Sequence, residues 1–389
     1  MPCALFMRGA FYIFTAEIIT TQLMEPENIL NDRFFQLPKS VPTDSTFRDF
    51  IKEQLCSQYL GHLCNIDVEQ FIVNIDGEET FKETEALISI QKTFIDGLIK
   101  SLELYHDGQP AKAYSEFEKT MDTLIKNDSD ALSMNVFTEG NSFYRIRLKK
   151  DNFPFSKQEM FHIPFELRGI VPTQRYSIPG FPSLYLSKTL YVAWEEMRRP
   201  SINEFQAIRL INERQVAYLD LTPPNLVMDI LDSKAYRYLM IWPLVLCCSI
   251  KVKNVNDIFK PEYIIPQLLL QWIRNKDEVH GIKFSSTHIN HQSTGDLYNI
   301  VFPVRENKDH GYCSTLTSYF KLTTPISWQL LEYATGGQNF IYNKDELKLI
   351  DDKIPKGLEV IEGRRYTYSY SVLGMLERYL DGLGYDWIS

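Results

Sequence analysis

Near residue 140 the spacing of the apolar residues changes period, and that change limits the chain to a mixed fold. Before it the spacing is helical. Phe47, Phe50, Ile51, Leu55, Tyr59 and Leu60 form one stripe, preceded by capping oxygens at Asp44-Ser45-Thr46. Leu87, Phe94, Leu98, Leu102 and Tyr105 form a second, ending near His106-Asp107-Gly108. Pro110 fits the first turn of a third helix, with Tyr114, Phe117, Met121 and Leu124 facing inward. The short Gly-containing loop between the last two predicts an antiparallel hairpin. No 34-residue self-similarity accompanies it, so a tetratricopeptide array is not indicated.

Beyond residue 140, short strand-like runs alternate with turns: Phe143 to Leu148, Leu184 to Leu186, Ile208 to Leu210, Val216 to Leu221, Gly281 to Ser285 and Leu297 to Phe302. Helical stretches lie between them at Leu190 to Met197, Ser233 to Trp242 and Tyr263 to Asn275. Strands and helices do not alternate regularly, which predicts an α+β fold rather than a doubly wound parallel sheet. At 389 residues the chain exceeds the usual size of one domain. The expected division is an amino-terminal segment (1–44), a helical domain (45–135), a mixed core (136–328) and a carboxyl-terminal extension packed on that core (329–389). The extension carries a Gly336-Gly337 turn, an edge strand over Tyr366-Thr367-Tyr368-Ser369-Tyr370 and a last helix from about Val372 to Leu380.

Composition narrows the function classes. The net charge is −9 and no basic stripe appears, so the phosphate-neutralising footprint of a nucleic-acid binder is missing. No run approaches the roughly twenty apolar residues of a membrane span. Residues 1–21 lack the basic start and small-residue cleavage site of a signal peptide. The six cysteines are sparse and form no disulfide framework or C-x-x-C knuckle. Cys247-Cys248, inside an apolar run, reads as core packing. A reducing cytoplasm is the expected compartment. His280, His288 and His291, with Asp296 nearby, match no strong zinc spacing, so no metal is expected. The phosphate loop, the dinucleotide-binding glycine turn, the zinc-protease helix and the serine-hydrolase elbow are all absent from the sequence.

Five short pieces carry the chemical signal. Tyr144-Arg145 lies in a strand-like run. Arg175-Tyr176 enters a turn at Gly180, which leads to Leu184-Tyr185-Leu186. A helix follows with Glu195-Glu196, and Gly281-Ile282-Lys283-Phe284-Ser285-Ser286 comes last. In that order the pieces resemble the RES domain, a family named for its Arg, Glu and Ser. The resemblance spans roughly residues 140 to 310. Its spacing selects Arg145, Glu196 rather than Glu195, and Ser286 rather than Ser285. Ser177 stands where the family often has Asn.

The resemblance implies a fold related to ADP-ribosyltransferases and cleavage of the nicotinamide–ribose bond of NAD⁺, which is then a substrate rather than a resident cofactor. The residue types suit that reaction. Breaking an N-glycosidic bond builds positive charge on the ribose, which a carboxylate such as Glu196 stabilises. Arg145 or Arg175 is expected to hold the pyrophosphate. Tyr185 and Tyr176 are candidates to stack on nicotinamide, and Ser286 to bind the carboxamide or ribose. The family also implies a partner antitoxin, and homo-oligomers remain open. Water as acceptor gives hydrolysis and phosphate gives phosphorolysis. The competing readings are a protein ADP-ribosyltransferase and a non-catalytic module binding NAD or protein. The helical segment, as an appended domain on a toxic enzyme, is expected to cover the active site, so that its deletion raises turnover.

Overall fold

The amphipathic stripes become helices in the computed structural model, which describes residues 26–66, 70–75, 77–132, 134–149, 151, 153–224, 233–289, 296–335, 344–361 and 363–388. Helix α1 spans residues 47–64 with a π-helical middle, Glu53–Tyr59, and Thr46 caps it by accepting from the Asp49 N–H. Helices α2 (Thr84–His106) and α3 (Pro110–Asn127) form the expected hairpin, turned at Gly108 with φ +73°. Their axes approach closely because Gly97 has no side chain. A Cβ there would lie 2.1 Å from Thr120 Oγ1.

The mixed core is one nine-stranded sheet. Its strands are β1 (Met134–Phe137), β2 (Ser142–Leu148), β3 (Ser183–Ser187), β4 (Phe205–Asn212), β5 (Val216–Asp220), β6 (Gly281–Ser285), β7 (Tyr298–Pro303), β8 (Phe320–Thr323) and β9 (Tyr385–Asp386). Their spatial order is β9-β8-β4-β2-β3-β7-β6-β5-β1, and every pairing is antiparallel except β5 with β6. With helices at 44% and strands at 21%, the architecture is α+β. Helix α4 (Leu190–Glu196) follows β3, and α5 (Ser233–Cys248), α6 (Ile264–Arg274), α7 (Trp328–Thr335), α8 (Lys344–Asp352) and α9 (Val372–Asp381) complete the frame. No described helix is long and apolar enough to cross a membrane.

Helix α5 explains where the amino-terminal helices sit. Residues Leu239 to Cys248 of α5 are buried all round, apart from Pro243 the whole run being apolar, as in a helix enclosed on every side. One wall is the helical segment. Trp242 stacks on Tyr59 at 5.3 Å, the Tyr59 hydroxyl donates to the Leu239 carbonyl at 2.8 Å, and Gln91 donates to the Met240 carbonyl at 3.0 Å. One hydrophobic core therefore runs from Ile29 through α1–α3 into α5, α6 and the sheet residues Ile282 and Val301. The helical segment 45–135 shares this core with α5 and α6. Burial also pushes the Cys248 thiol up to about 12 and the Cys247 thiol well up, so both pack as small hydrophobes.

The carboxyl-terminal segment completes the core from the other side. Strand β9 joins the sheet edge, and α9 forms where the 3.6-residue period predicts it. The alternation Tyr366 to Tyr370 does not make an edge strand. Arg364–Tyr366 ends a two-stranded ribbon, and Tyr368–Tyr370 is a 3-10 turn in which adjacent Tyr368 and Ser369 are both buried. Ser369 is held by the Asp351 carboxylate through its N–H (2.9 Å) and its hydroxyl (3.0 Å), a pairing that no local pattern announces. The predicted Gly336-Gly337 turn lies outside the described residues.

A buried histidine near Arg145 of β2 predicts an acid-sensitive fold. His162 is 1% exposed, with Nδ1 2.8 Å from the Ile163 carbonyl and Nε2 accepting the Cys313 N–H at 3.0 Å. Those partners require the neutral ring. Burial, reinforced by the charge of Arg145, presses its pKa from 6.5 down to about 4, against the opposing pull of the Ile163 carbonyl. The unfolded chain takes up this proton first. Stability should therefore fall as pH drops from about 6.5 to about 4, by about 3 kcal/mol in all, with no contribution from this group above that window. Urea unfolding at stepped pH in the wild type and His162→Gln checks this; parallel curves for the two proteins would refute it.

Candidate active site

The site begins at a fault in the sheet. Strands β2 and β3 are joined by a single pair, Tyr144 with Ser187, whereas β2 pairs with β4 over seven residues. Beyond that one pair the strands part. The opening is a cavity of about 660 Å³ lined by Arg145 and Ile146 from β2, Ser183 and Tyr185 from β3, Arg175 and Ser177 from the preceding turn, and Glu196 and Arg198 from the end of α4. Tyr263, Lys251, Thr287, His288 and Asn299 close it from the other side. Its size falls within the roughly 300–1,000 Å³ of small-molecule and cofactor sites. No lining residue precedes Tyr144, so among the described residues the amino-terminal helices do not cover it. The expected restraint by that segment is therefore not built into the cavity, and cutting the chain at 135 would instead remove one wall of its own core.

Arg145, Arg175, Tyr185 and Glu196, which come from three separate stretches of sequence, meet in this cavity. Arg145 stands out. Its Nη1 is buried and has no hydrogen-bond partner among the described residues. Burial and the neighbouring Arg147 press its pKa down to about 10, which leaves it cationic at neutral pH. Arg175 is tied down: its guanidinium donates to the Cys248 carbonyl at 3.1 Å and the Ile250 carbonyl at 2.8 Å, and lies over Tyr263. Arg147 is committed elsewhere, to the Glu159 carbonyl and the Phe155 ring. Of these three, Arg145 has the donor left over for a ligand. The buried Ser183 hydroxyl is also without a partner among the described residues.

The two adjacent glutamates separate cleanly. Glu195 is 4% exposed and pairs with Arg199 at 2.9 Å, while Glu196 faces the cavity. One Glu196 oxygen accepts from Asn299 Nδ2 at 2.9 Å; Asn299 in turn accepts from Ser187 at 2.6 Å. The other oxygen is 3.9 Å from His288 Nε2. Burial lowers the His288 pKa below 6.5, with Arg198 and Arg175 also lowering it and Glu196 opposing, so the ring is neutral at pH 7. Tyr185 is held protonated: burial pushes its pKa far above the usual range.

Ser286 and Tyr176 stand behind this surface. Ser286 is 1% exposed and its hydroxyl accepts the His288 N–H at 3.1 Å, which fixes the turn carrying His288. Tyr176 is fully buried against Phe284 at 4.5 Å, and Phe284 itself lines the cavity. Neither is among the residues that line the cavity. Ser177 binds its own turn, accepting from the Gln174 N–H at 2.6 Å. His280 is used structurally, accepting the Ala217 N–H at 3.2 Å, and His291 lies outside the described residues.

Helix α4 is anchored at both ends. At its start Thr189 accepts the Val192 N–H at 3.2 Å. The Leu190 N–H donates to Glu377 at 2.7 Å, and Tyr368 accepts the Tyr191 N–H at 3.3 Å while donating to Glu377 at 2.6 Å. Glu377 is fully buried and receives Lys353 at 2.5 Å. At its end the chain turns through a Schellman motif, with Arg198 N–H to Glu195 and Arg199 N–H to Trp194, both at 3.0 Å. The left-handed position of that motif usually belongs to glycine, yet Arg198 (φ 64°) and Arg199 (φ 56°) occupy it in succession. For residues with a Cβ this costs about 1 kcal/mol each.

Asn299, His288, Arg198 and the anchor Glu377 were not legible as site residues in the sequence. Asn299 left the clearest trace: it is the polar residue inside the apolar run Tyr298 to Phe302, and it is 3% exposed.

Comparison with known proteins places the chain. A Bacillus subtilis (strain 168) protein named "Putative toxin YopC" is 37% identical over 311 residues, covering 74% of this chain and 68% of that protein. The chain belongs to the YopC family. No family model matches it, and no solved structure matches it.

Proposed function

We propose that this YopC-family chain is a toxin that consumes NAD⁺ by breaking the nicotinamide–ribose bond in the cavity between β2, β3 and α4. One observation carries the reading: Arg145, Arg175, Tyr185 and Glu196, selected by resemblance to the RES domain, line one cavity of about 660 Å³. The toxin part draws on the name of the Bacillus subtilis relative. The NAD⁺ part rests on the motif residues and the chemistry they permit.

In this reaction the bond from C1′ of the ribose to the pyridinium nitrogen breaks, and its electron pair leaves with neutral nicotinamide. The positive charge that grows on the ribose faces the Glu196 carboxylate, which Asn299 and Ser187 hold in place. Water or phosphate then bonds to C1′. Water gives ADP-ribose and releases one proton; phosphate gives ADP-ribose carrying the phosphate on that same carbon. Arg145 supplies its unused Nη1 to the dinucleotide's diphosphate, and the Tyr185 ring offers a flat apolar wall for the nicotinamide. Ser286 acts through His288 and Tyr176 through Phe284, behind the lining. The cell that makes such a toxin then needs a neutralising protein partner. Incubating the purified chain with NAD⁺, with and without phosphate, and following nicotinamide tests the reading. Steady release supports it, and its phosphate dependence identifies the acceptor. No release at high enzyme concentration overturns it.

A further inference from the structure

Arg198 is the lining residue that neither the motif nor the fold accounts for. It follows α4, two residues after Glu196, in a left-handed conformation that glycine would adopt without strain. Its side chain lines the cavity and has no hydrogen bond or ion pair among the described residues. Arg199, beside it, differs: it pairs with Glu195 and covers the Trp194 ring. A strained backbone that delivers an unpaired cation into a cavity calls for an anion there. The lining as a whole agrees. Arg145, Arg175, Arg198 and Lys251 set four cations against the single carboxylate of Glu196, in a chain whose net charge is −9. Arg198 and Arg175 also act on the same two neighbours, opposing the rise that burial gives the Tyr263 pKa and adding to the fall that burial gives the His288 pKa.

From this we infer that Arg198 is a binding residue for a diphosphate group, gripping it from the α4 side while Arg145 meets the ligand from the cavity floor. The inference deepens the proposed NAD⁺ reading and rests on it for the identity of the full ligand, but the diphosphate grip can be tested by itself. Arg175, pinned to two carbonyls, contributes charge; Arg198 contributes free donors in a planar fork suited to phosphate oxygens. The left-handed turn aims that fork at the cavity.

The test is calorimetric titration of the full chain with inorganic pyrophosphate and, separately, with NAD⁺, comparing wild type, Arg198→Gly and Arg198→Lys. Glycine relaxes the turn, so Arg198→Gly should unfold at the same temperature as the wild type or higher. Its pyrophosphate affinity should drop roughly tenfold or more, with partial retention in Arg198→Lys. Equal pyrophosphate affinity in wild type and Arg198→Gly would overturn the assignment, as would no binding by the wild type. Arg198-dependent pyrophosphate binding without NAD⁺ binding or nicotinamide release would uphold the diphosphate grip and remove the NAD⁺ reading.

Discussion

Replacing Glu196 by Gln should lower nicotinamide release by a factor of about 10²–10⁴ while leaving the unfolding temperature nearly unchanged. The carboxylate is partly exposed and, among the described residues, its one short contact is the Asn299 amide, which a glutamine oxygen can still satisfy. The loss therefore falls on the transition state, where ribose charge develops, and not on folding. The matched control is Glu195→Gln. Glu195 is buried and paired with Arg199, so that change should cost stability and spare the chemistry by comparison. Nicotinamide release and thermal unfolding on both variants decide the matter. Equal turnover in wild type and Glu196→Gln would remove Glu196 from the reaction.

Glu377→Ala should destabilise the protein by about 3–5 kcal/mol, the usual cost of removing one partner from a buried pair. The change leaves Lys353 only its longer contacts with Asp381 (3.5 Å) and the Tyr144 hydroxyl (3.1 Å), and leaves the Leu190 N–H and the Tyr368 hydroxyl without their acceptor. Both effects converge on the first turn of α4, so the Glu196 helix loses its anchor along with the stability. Glu377→Gln keeps an acceptor for Leu190 and should cost less. Urea unfolding of the two variants gives the comparison, and a Glu377→Ala protein within 1 kcal/mol of wild type would show that the buried contacts are not coupled as described.

The helices were readable because their apolar stripes recur at 3–4 residues. Leu87, Phe94, Leu98 and Leu102 are buried as the period requires, and Pro110 opens α3. What those stripes pack against was not readable. An apolar face says that a partner exists, not that the partner is α5, some 140 residues further on. The Tyr366 to Tyr370 alternation misled for a related reason: period two was present, but Tyr368 and Ser369 are both drawn inward by Glu377 and Asp351. In the site, the spacing of the RES resemblance separated Glu196 from Glu195, and Glu196 is the one that lines the cavity. Arg198 gave no such signal. Nothing in Arg-Arg after a helix announces a left-handed backbone, because its strain is balanced by contacts made elsewhere.

The anchoring of α4 orders events during synthesis. Glu196 lies mid-chain, yet the carboxylate that caps its helix is Glu377, 187 residues after Leu190. A growing chain can display Arg145, Glu196 and His288 long before Glu377 leaves the ribosome, but the α4 turn then lacks its fixed start. At roughly 5–20 residues per second, the delay from Leu190 to Glu377 is on the order of ten to forty seconds. A ribosome that stalls or terminates inside that interval releases a chain whose acidic helix has never been locked.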